Sequence, residues 1–540
     1  MALALVKNGI KCRIIDKEFS FHVGSRGFGI QPRTFELMEL LGIVDDVFKL
    51  ATDIPTMRAY KPGGIEPTKT WDLYEKTQIR PDRPYGNGKC LSQSVLEEIF
   101  RSHLGSYDCR VELGTELIGF QQDAEGVTAT IVRQGTSPSK EAVRAQFLVG
   151  ADGAKGITRK LLGLTFQGET RDTDGMVWGD VEIQGLSNNY WHIWGKPGQF
   201  TLLARPTTPN GSTFSIGVTC QNFDPVDLAN ADNLIKFIRD ESGMKELTFG
   251  TFTWLSYFKP NMRIVNKFSE GRVFLVGDIA HVHSPTGGQG MNCSVQDSYN
   301  LAWKIALVHQ GYADISLLST YNEERLPVIT QMLHATTTLY THTVAKKKVN
   351  SEEQKDDPKS SGWFRWRNNA LHLYGVNYRW SSITSDERGT DGQDDEDMRA
   401  LAYEGYKGSV RAGDRAPEAP GLLDGSGKET TLFHLYSPSK HTVLIFVPKN
   451  ATTEVVVAST KVLSVIPSAI VQNFIISSTS MPNIYDSADI LFDGEGHARA
   501  AYCVDQDEVN IVVVRPDGII GAFATSAMGI QYYFSRILNQ

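Results

Sequence analysis

The chain has 540 residues, 41% hydrophobic and 21% charged, enough to bury more than one core, so two to four domains are expected. With 54 Lys plus Arg against 62 Asp plus Glu the formal net charge is -8, and no stretch concentrates basic residues, which argues against nucleic-acid binding. Six cysteines, Cys12, Cys90, Cys109, Cys220, Cys293 and Cys503, stand singly with no C-x-x-C and no metal-ligand spacing, the usage of a reduced cytoplasmic protein without a metal site.

Residues 2–9 read as the end of a small-residue helix closed by Gly9, and KCRIID (11–16) reads as a short buried strand ending at Asp16. This is the second half of a β-α-β unit. The strand and glycine-rich turn that a dinucleotide-binding fold places about 20 residues before such an acid would lie upstream of Met1. Residues 1–6 are apolar but lack a basic flank and a cleavage site, so a signal peptide is not expected. TFELMELLGIVDDVFKL (34–50) and SVLEEIFRSHL (94–104) carry apolar residues at helical spacing. Residues 111–150 alternate through GVTATIVRQG and run into FLVGADG, a hairpin followed by a buried parallel strand.

From 176 to 258 the period is two, with Trp178, Tyr190, Trp191, Trp194, Trp254 and Tyr257 among the strand residues, which predicts a β-sheet domain. RVFLVGD (272–278) is one more buried strand, followed by a glycine-rich loop and a helix from Ser294 to about Gly311. Residues 351–357 and 386–397 are dense in charge and bracket a connector. A final unit begins near Gly413 and contains the apolar strand TVLIFV (442–447). The apolar region 442–477 is broken by Pro448, Lys449, Asn450, Glu454, Lys461 and Pro467, so no membrane span is expected.

Two segments carry chemistry. VGADGAKGITRKLLG (149–163) delivers Asp152 and Gly153 to the carboxyl end of a strand, where ligands bind, although an ordinary strand-turn-helix reads the same way. GRVFLVGDIAHVHSPTGGQGMNCSVQDSYNLAWKIAL (271–307) is more specific. Asp278 ends its strand as an acceptor for hydroxyls, and Gly287, Gly288 and Gly290 let backbone N–H groups approach a ligand at a helix start.

These two segments, the R-x-x-x-I-x-P-R-T-x-E stretch from Arg26 to Glu36, and YNEERLP at 321–327 together resemble the FAD-dependent aromatic hydroxylases. Within these single-component flavoprotein monooxygenases the chain resembles the phenol hydroxylase, chlorophenol and hydroxyphenylpropionate hydroxylase branch. The resemblance implies an α/β fold: a Rossmann-like FAD-binding domain interleaved with a β-sheet substrate domain, plus a C-terminal thioredoxin-like domain. The implied boundaries are 1–174 and 266–345 for the FAD-binding domain, with part of the substrate domain near 55–90. The substrate sheet is 175–265, a connector 346–412 and the thioredoxin-like unit 413–540.

By position, the resemblance implies that Asp16 holds the adenosine ribose and that Arg26 and Gln93 lie along the phosphate and ribityl portion of FAD. It places Asp278 on the ribityl chain, Pro285, Gly288, Gly290, Met291 and Asn292 against the isoalloxazine, and Asp152 in a motif serving FAD and transient NAD(P)H. Three departures accompany it: the G-x-G-x-x-G segment is absent, Gly156 replaces the usual Ser, and Phe28 stands where phenol hydroxylases have an acid. The implied activity is NAD(P)H-consuming hydroxylation of a small phenolic substrate with O2 through a flavin C4a-hydroperoxide, in a protein that can form a homodimer. Baeyer-Villiger or epoxidising chemistry, and a non-catalytic binding protein lacking flavin, remain as alternatives. Tyr257 and His192 are the candidates for binding a phenolic hydroxyl, with packing as the alternative for each; His281 and His283 read first as residues that orient the flavin loop.

Overall fold

The structure, a computed structural model, describes all residues except 62, 171–173, 197–199, 209–210, 222–224, 285–286, 344–368, 390–393, 449–452, 479–488, 506 and 540. Near the chain start, Ile14–Ile15 pairs in parallel with Val111–Glu112, and Leu148–Gly150 pairs in parallel with Val273–Leu275. Val273, Phe274 and Leu275 are all buried, as a parallel strand covered on both faces must be. Asp16, Asp152 and Asp278 follow the carboxyl ends of three of these strands, where parallel α/β sheets take ligands.

The helix behind the glycine-rich loop spans Gly290–His309. It begins four residues before the expected Ser294, because Gly290 enters the helix rather than ending the loop. Leu301, Ala302 and Ile305 pack into the core shared with the helix Ala2–Lys7, whereas Trp303 and Leu307 pack into the core of the C-terminal unit. One helix therefore serves two cores.

Seven strands form the central antiparallel-rich sheet, in the order Thr248–Phe258, Asp174–Gln184, Thr213–Gln221, Phe200–Pro206, Tyr190–Lys196, Thr56–Tyr60 and Pro67–Trp71. Its two faces are chemically different. On one, Val177, Val181, Leu202, Phe214 and Val218 are covered by Leu234 and Ile238 of the helix Ala231–Ser242. That helix starts at Asn230, whose side chain accepts from the N–H groups of Asp232 and Asn233, and it ends at Gly243 in the left-handed region. On the other face, Met57, Trp191, Ile193 and Leu203 are covered by Phe28, from the stretch Arg26–Glu36.

The C-terminal sheet has eight described strands. Its centre runs Ile520–Ala524, Asn510–Val514, His441–Val447, Val471–Ser477, with the last two parallel and the others antiparallel. The stretch expected as connector divides. Residues 344–368 and 390–393 lie outside the described residues, but Leu371, Leu373, Val376, Tyr378 and Trp380 are buried, and Ser385–Asp386 adds an edge strand to the C-terminal sheet. Apolar residues there have no regular period, so they gave no helical or strand signal.

Buried charge joins the units. Glu324 accepts from Arg515 (2.7 Å), Lys304 (2.7 Å), Asn300 (2.6 Å) and Ser381 (2.7 Å), and Arg515 also bonds Asp517 at 2.6 Å. Burial by itself would raise the Glu324 carboxyl, but Arg515 and Lys304 outweigh it and hold the group far below the usual carboxylate range. Arg415 reaches Glu36 at 2.8 Å, and Arg33 donates to the carbonyls of Asp517 and Gly518. Removing one partner of such a cluster leaves buried charge uncompensated, at a cost of about 3 to 5 kcal/mol. Arg515→Met should lower the urea midpoint of the whole chain accordingly, and a midpoint equal to that of the parent protein would show that the cluster does not hold the C-terminal unit in place.

Candidate active site

Gly277, with φ of 72°, turns the buried strand Val273–Leu275 into the 3-10 turn Gly277–Ile279. The turn is held by Asp297, from the helix behind it. Its carboxylate accepts from the Gly277 N–H (3.1 Å), His281 Nε2 (2.7 Å) and Arg325 Nε (2.8 Å). Burial opposes ionisation of Asp297, yet Arg325 and His281 hold its carboxyl below the ordinary range. His281 is thus a positioning residue, fully buried and stacked on Phe268. Arg159 closes the same region by donating to the carbonyls of Ile279 and Ala154, which ties the first acidic turn to the second. Asp278 itself stays exposed, with no protein partner among the described residues.

Asp152 is turned back on its own loop. Its Oδ2 accepts from the N–H and the hydroxyl of Thr158, at 2.9 and 3.0 Å, and caps the helix Ile157–Leu161. A Cβ at Gly156 would collide with that carboxylate, which gives Gly156 a structural reason. Asp16 is exposed, and its Oδ1 accepts from the N–H of Glu18.

The remaining candidates converge. Asn292 spends its whole side chain on positioning: Oδ1 accepts from Gln31 N–H and the Thr34 hydroxyl, and Nδ2 donates to the carbonyls of Gly29 and Gly288. Only its backbone remains for a ligand. Gln93 Oε1 accepts from Gly27 N–H at 3.1 Å, and a Cβ on Gly27 would stand 3.9 Å from Met291. Gln93 and Met291 therefore flank Gly27, and the exposed Arg26 next to it in sequence has no described ion-pair partner. Pro285 lies outside the described residues. A Cβ at Gly290 would come within 2.9 Å of His283 Nε2 and force that ring to move.

A cleft of about 240 Å³ opens beside Met291, lined by Leu3, Phe100, Leu104, Ser294 and Ser298. These features fit the flavin and ribityl end of FAD: a side-chain-free approach, first-turn N–H groups of the helix at Gly290–Asn292, and two unpartnered charges of opposite sign. Among the described residues no glycine-rich strand-to-helix turn precedes Asp16 for the pyrophosphate.

Two expected substrate residues face elsewhere. Tyr257 stands opposite Val177, on the helix-covered side of the central sheet, and is 47% exposed. His192 is buried on that same side, where its ring stacks on Tyr60 and Trp194 and bonds the Tyr60 hydroxyl and the Ser187 carbonyl. Burial, with Arg58 nearby, lowers His192 to about 4, so it is neutral at pH 7. Neither side chain turns toward the flavin segment. The strand face that does so carries Trp178, Asp180, Trp191, Arg205 and Trp254, and sequence reasoning missed the two charged members. Their signal was a single charge, Asp180 or Arg205, on the same strand face as the apolar Trp178 and Leu203.

Asp278→Asn should weaken FAD retention by roughly 10- to 150-fold, the value of about 1.5 to 3 kcal/mol for a charge-assisted hydrogen bond. Equilibrium titration with FAD checks this, and unchanged affinity removes Asp278 from the cofactor site. Gly290→Ala should lower flavin occupancy as well, by pushing His283 and the loop apart.

Residues 1–336 match the family model described as an FAD binding domain. A flavin-dependent monooxygenase of Mycobacteroides abscessus is 32% identical over 546 residues, 100% of this chain and 97% of that protein. Pentachlorophenol 4-monooxygenase of Sphingobium chlorophenolicum is 30% identical over 351 residues, 62% of this chain and 60% of its own length. Among solved structures, the flavin-dependent monooxygenase PieE in complex with FAD and substrate shares the fold with a TM-score of 0.81 at 20% identity, over 99% of this chain and 95% of that one. Aklavinone-11 hydroxylase with FAD and aklavinone gives 0.77 at 23%, over 100% and 96%. Its match across residues 1–336 and its full-length relative establish that the chain belongs to the FAD-binding-domain family and is an FAD-dependent monooxygenase.

Proposed function

We propose that the enzyme hydroxylates a phenolic or polycyclic aromatic ring with O2, at the expense of NAD(P)H. The observation that carries this reading is the inward face of the central sheet. Trp178, Trp191 and Trp254, with Phe28 edge-on to Trp191 at 5.6 Å, make an aromatic wall against residues 24–28, next to which Met291 stands. The indole of Trp178 lies over Gly217, where a Cβ would be 2.6 Å from the ring, and that of Trp254 lies against Gly24. A flat ring stacks on such a surface, and the wall keeps water from the reacting carbon.

The names of relatives support the same substrate class: pentachlorophenol for one, aklavinone for another, and 6-methylpretetramide for a third from Streptomyces rimosus. Bound FAD, once reduced, supplies the electrons that activate O2. The chain's own residues hold the aromatic ring and exclude water. Phe28 accepts no proton, and Tyr257 faces away, so neither removes the phenolic proton.

The C-terminal unit supports a thioredoxin-like reading through its β-α-β, β-β-α succession and its strand order. With no C-x-x-C in the sequence and Cys503 alone in the unit, we read it as redox-inert packing.

Hydroxylated aromatics should accelerate NAD(P)H oxidation and yield oxygenated product, whereas the same rings without the hydroxyl should not. If a panel of phenols gives neither while cyclic ketones do, Baeyer-Villiger chemistry replaces this reading. Tyr257→Phe should leave product per NAD(P)H unchanged; a clear loss would place that hydroxyl in the site after all. The C-terminal unit should show no activity in an insulin-reduction assay, and activity that copurifies with the chain and survives Cys503→Ser would overturn the inert reading.

A further inference from the structure

On the inward face of the central sheet, four adjacent strands set Trp254, Asp180, Ser215 and Arg205 side by side. Arg205 is 2% exposed and Asp180 is 4% exposed. Arg205 lies flat over the Phe28 ring at 3.9 Å and beside the Cys90 thiol; its Nη1 donates to the carbonyl of Pro206, and its Nε has no partner. No described carboxylate pairs with it. Arg33, Arg325, Arg415 and Arg515 each bond a carboxylate, while Arg159 and Arg499, like Arg205, donate to backbone carbonyls; of these three, Arg205 is the most buried, at 2%, and faces the aromatic wall. Asp180 accepts from the Ser25 N–H through Oδ2 at 2.7 Å, while Oδ1 has no partner. Two strand spacings separate Asp180 from Arg205, about 9 to 10 Å between backbones, with Ser215 between them.

A buried guanidinium and a buried carboxylate on one face, each with unmet hydrogen-bonding capacity and held apart, are costly unless something completes them. The ring nitrogens of Trp178, Trp191 and Trp254 are also buried without acceptors on this wall. We propose that the row reads two oxygen substituents of the substrate. Arg205 takes an acidic oxygen, a carboxylate or an ionised ring hydroxyl, and Asp180 accepts from a neutral hydroxyl toward the other end of the ring system. The substrate class is then a hydroxylated aromatic acid, or a fused hydroxyaryl with an acidic enol, long enough to span both. This rests on the hydroxylase reading above and narrows its substrate.

The test is equilibrium binding to the FAD-loaded protein, with no turnover, of 6-hydroxy-2-naphthoate, its methyl ester, and 2-naphthoate. The parent protein should prefer the hydroxy acid by about tenfold or more over each of the other two, as expected for one charge-assisted hydrogen bond lost. Arg205→Met should abolish the preference for acid over ester while keeping the preference for the hydroxyl; Arg205→Lys should keep part of the first. Asp180→Asn should do the reverse. Equal binding of acid and ester by the parent protein overturns the proposal whether or not the variants fold. So does an Arg205→Met protein that loses FAD while keeping the acid-to-ester ratio, because the guanidinium then belongs to the cofactor. Phenols hydroxylated without any acid preference would sink this inference alone, and the expected binding pattern with no oxygenated product would sink the hydroxylase reading instead.

Discussion

The carboxylate of Asp297 is the point on which the cofactor end of the molecule depends. It collects the N–H of Gly277, the ring of His281 and the guanidinium of Arg325, so one buried anion joins a strand-ending turn, the helix behind the glycine-rich loop and the long helix Ser319–Thr343. A buried charge is tolerable only when its lone pairs are filled. Because they are filled here by groups on three elements, the turn at Gly277 has one geometry, and Asp278 is left pointing outward with its oxygens free. The acid of Asp278 stays free because its neighbour in space is fully spent.

The same logic separates structural from ligand-facing groups throughout the site. Asn292 stands in a segment that looks chemical, yet its whole side chain is occupied by protein, and Asp152 Oδ2 and His281 Nε2 are likewise spent on Thr158 and Asp297. Arg26, Asp278, Asp180 and Arg205 retain capacity. A ligand can bind only what the fold has left open, so filled lone pairs and donors bear on the site as much as position within a motif does.

Glu324 and Arg515 do for the whole chain what Asp297 does for the turn. Their cluster lies where the helix Gly290–His309 meets the C-terminal sheet, and Trp303 and Leu307 of that helix belong to the C-terminal core. Disturbance in the C-terminal unit therefore reaches the helix that begins at the glycine-rich loop. Cys12 and Cys109, far apart in sequence, also come together, with their sulfurs 3.6 Å apart and both thiols free.

What the chain's order of residues determined by itself was local. Period two in 176–258, the apolar run at 272–278 and the glycines at 287–290 each act through neighbours a few residues away, so strand, turn and helix were legible, as was the convergence of residues within the glycine-rich segment. The tertiary structure decided which face each strand shows. Alternation says that His192 and Tyr257 point opposite to Trp191 and Trp254, but not which set meets the flavin segment. That choice is made by Ile238 and Leu234 covering one face and Phe28 the other. Those partners lie outside the sheet strands they cover, and hydrophobic burial is non-directional. The side that becomes the site is therefore settled only when the sheet, the helix and the flavin segment pack together.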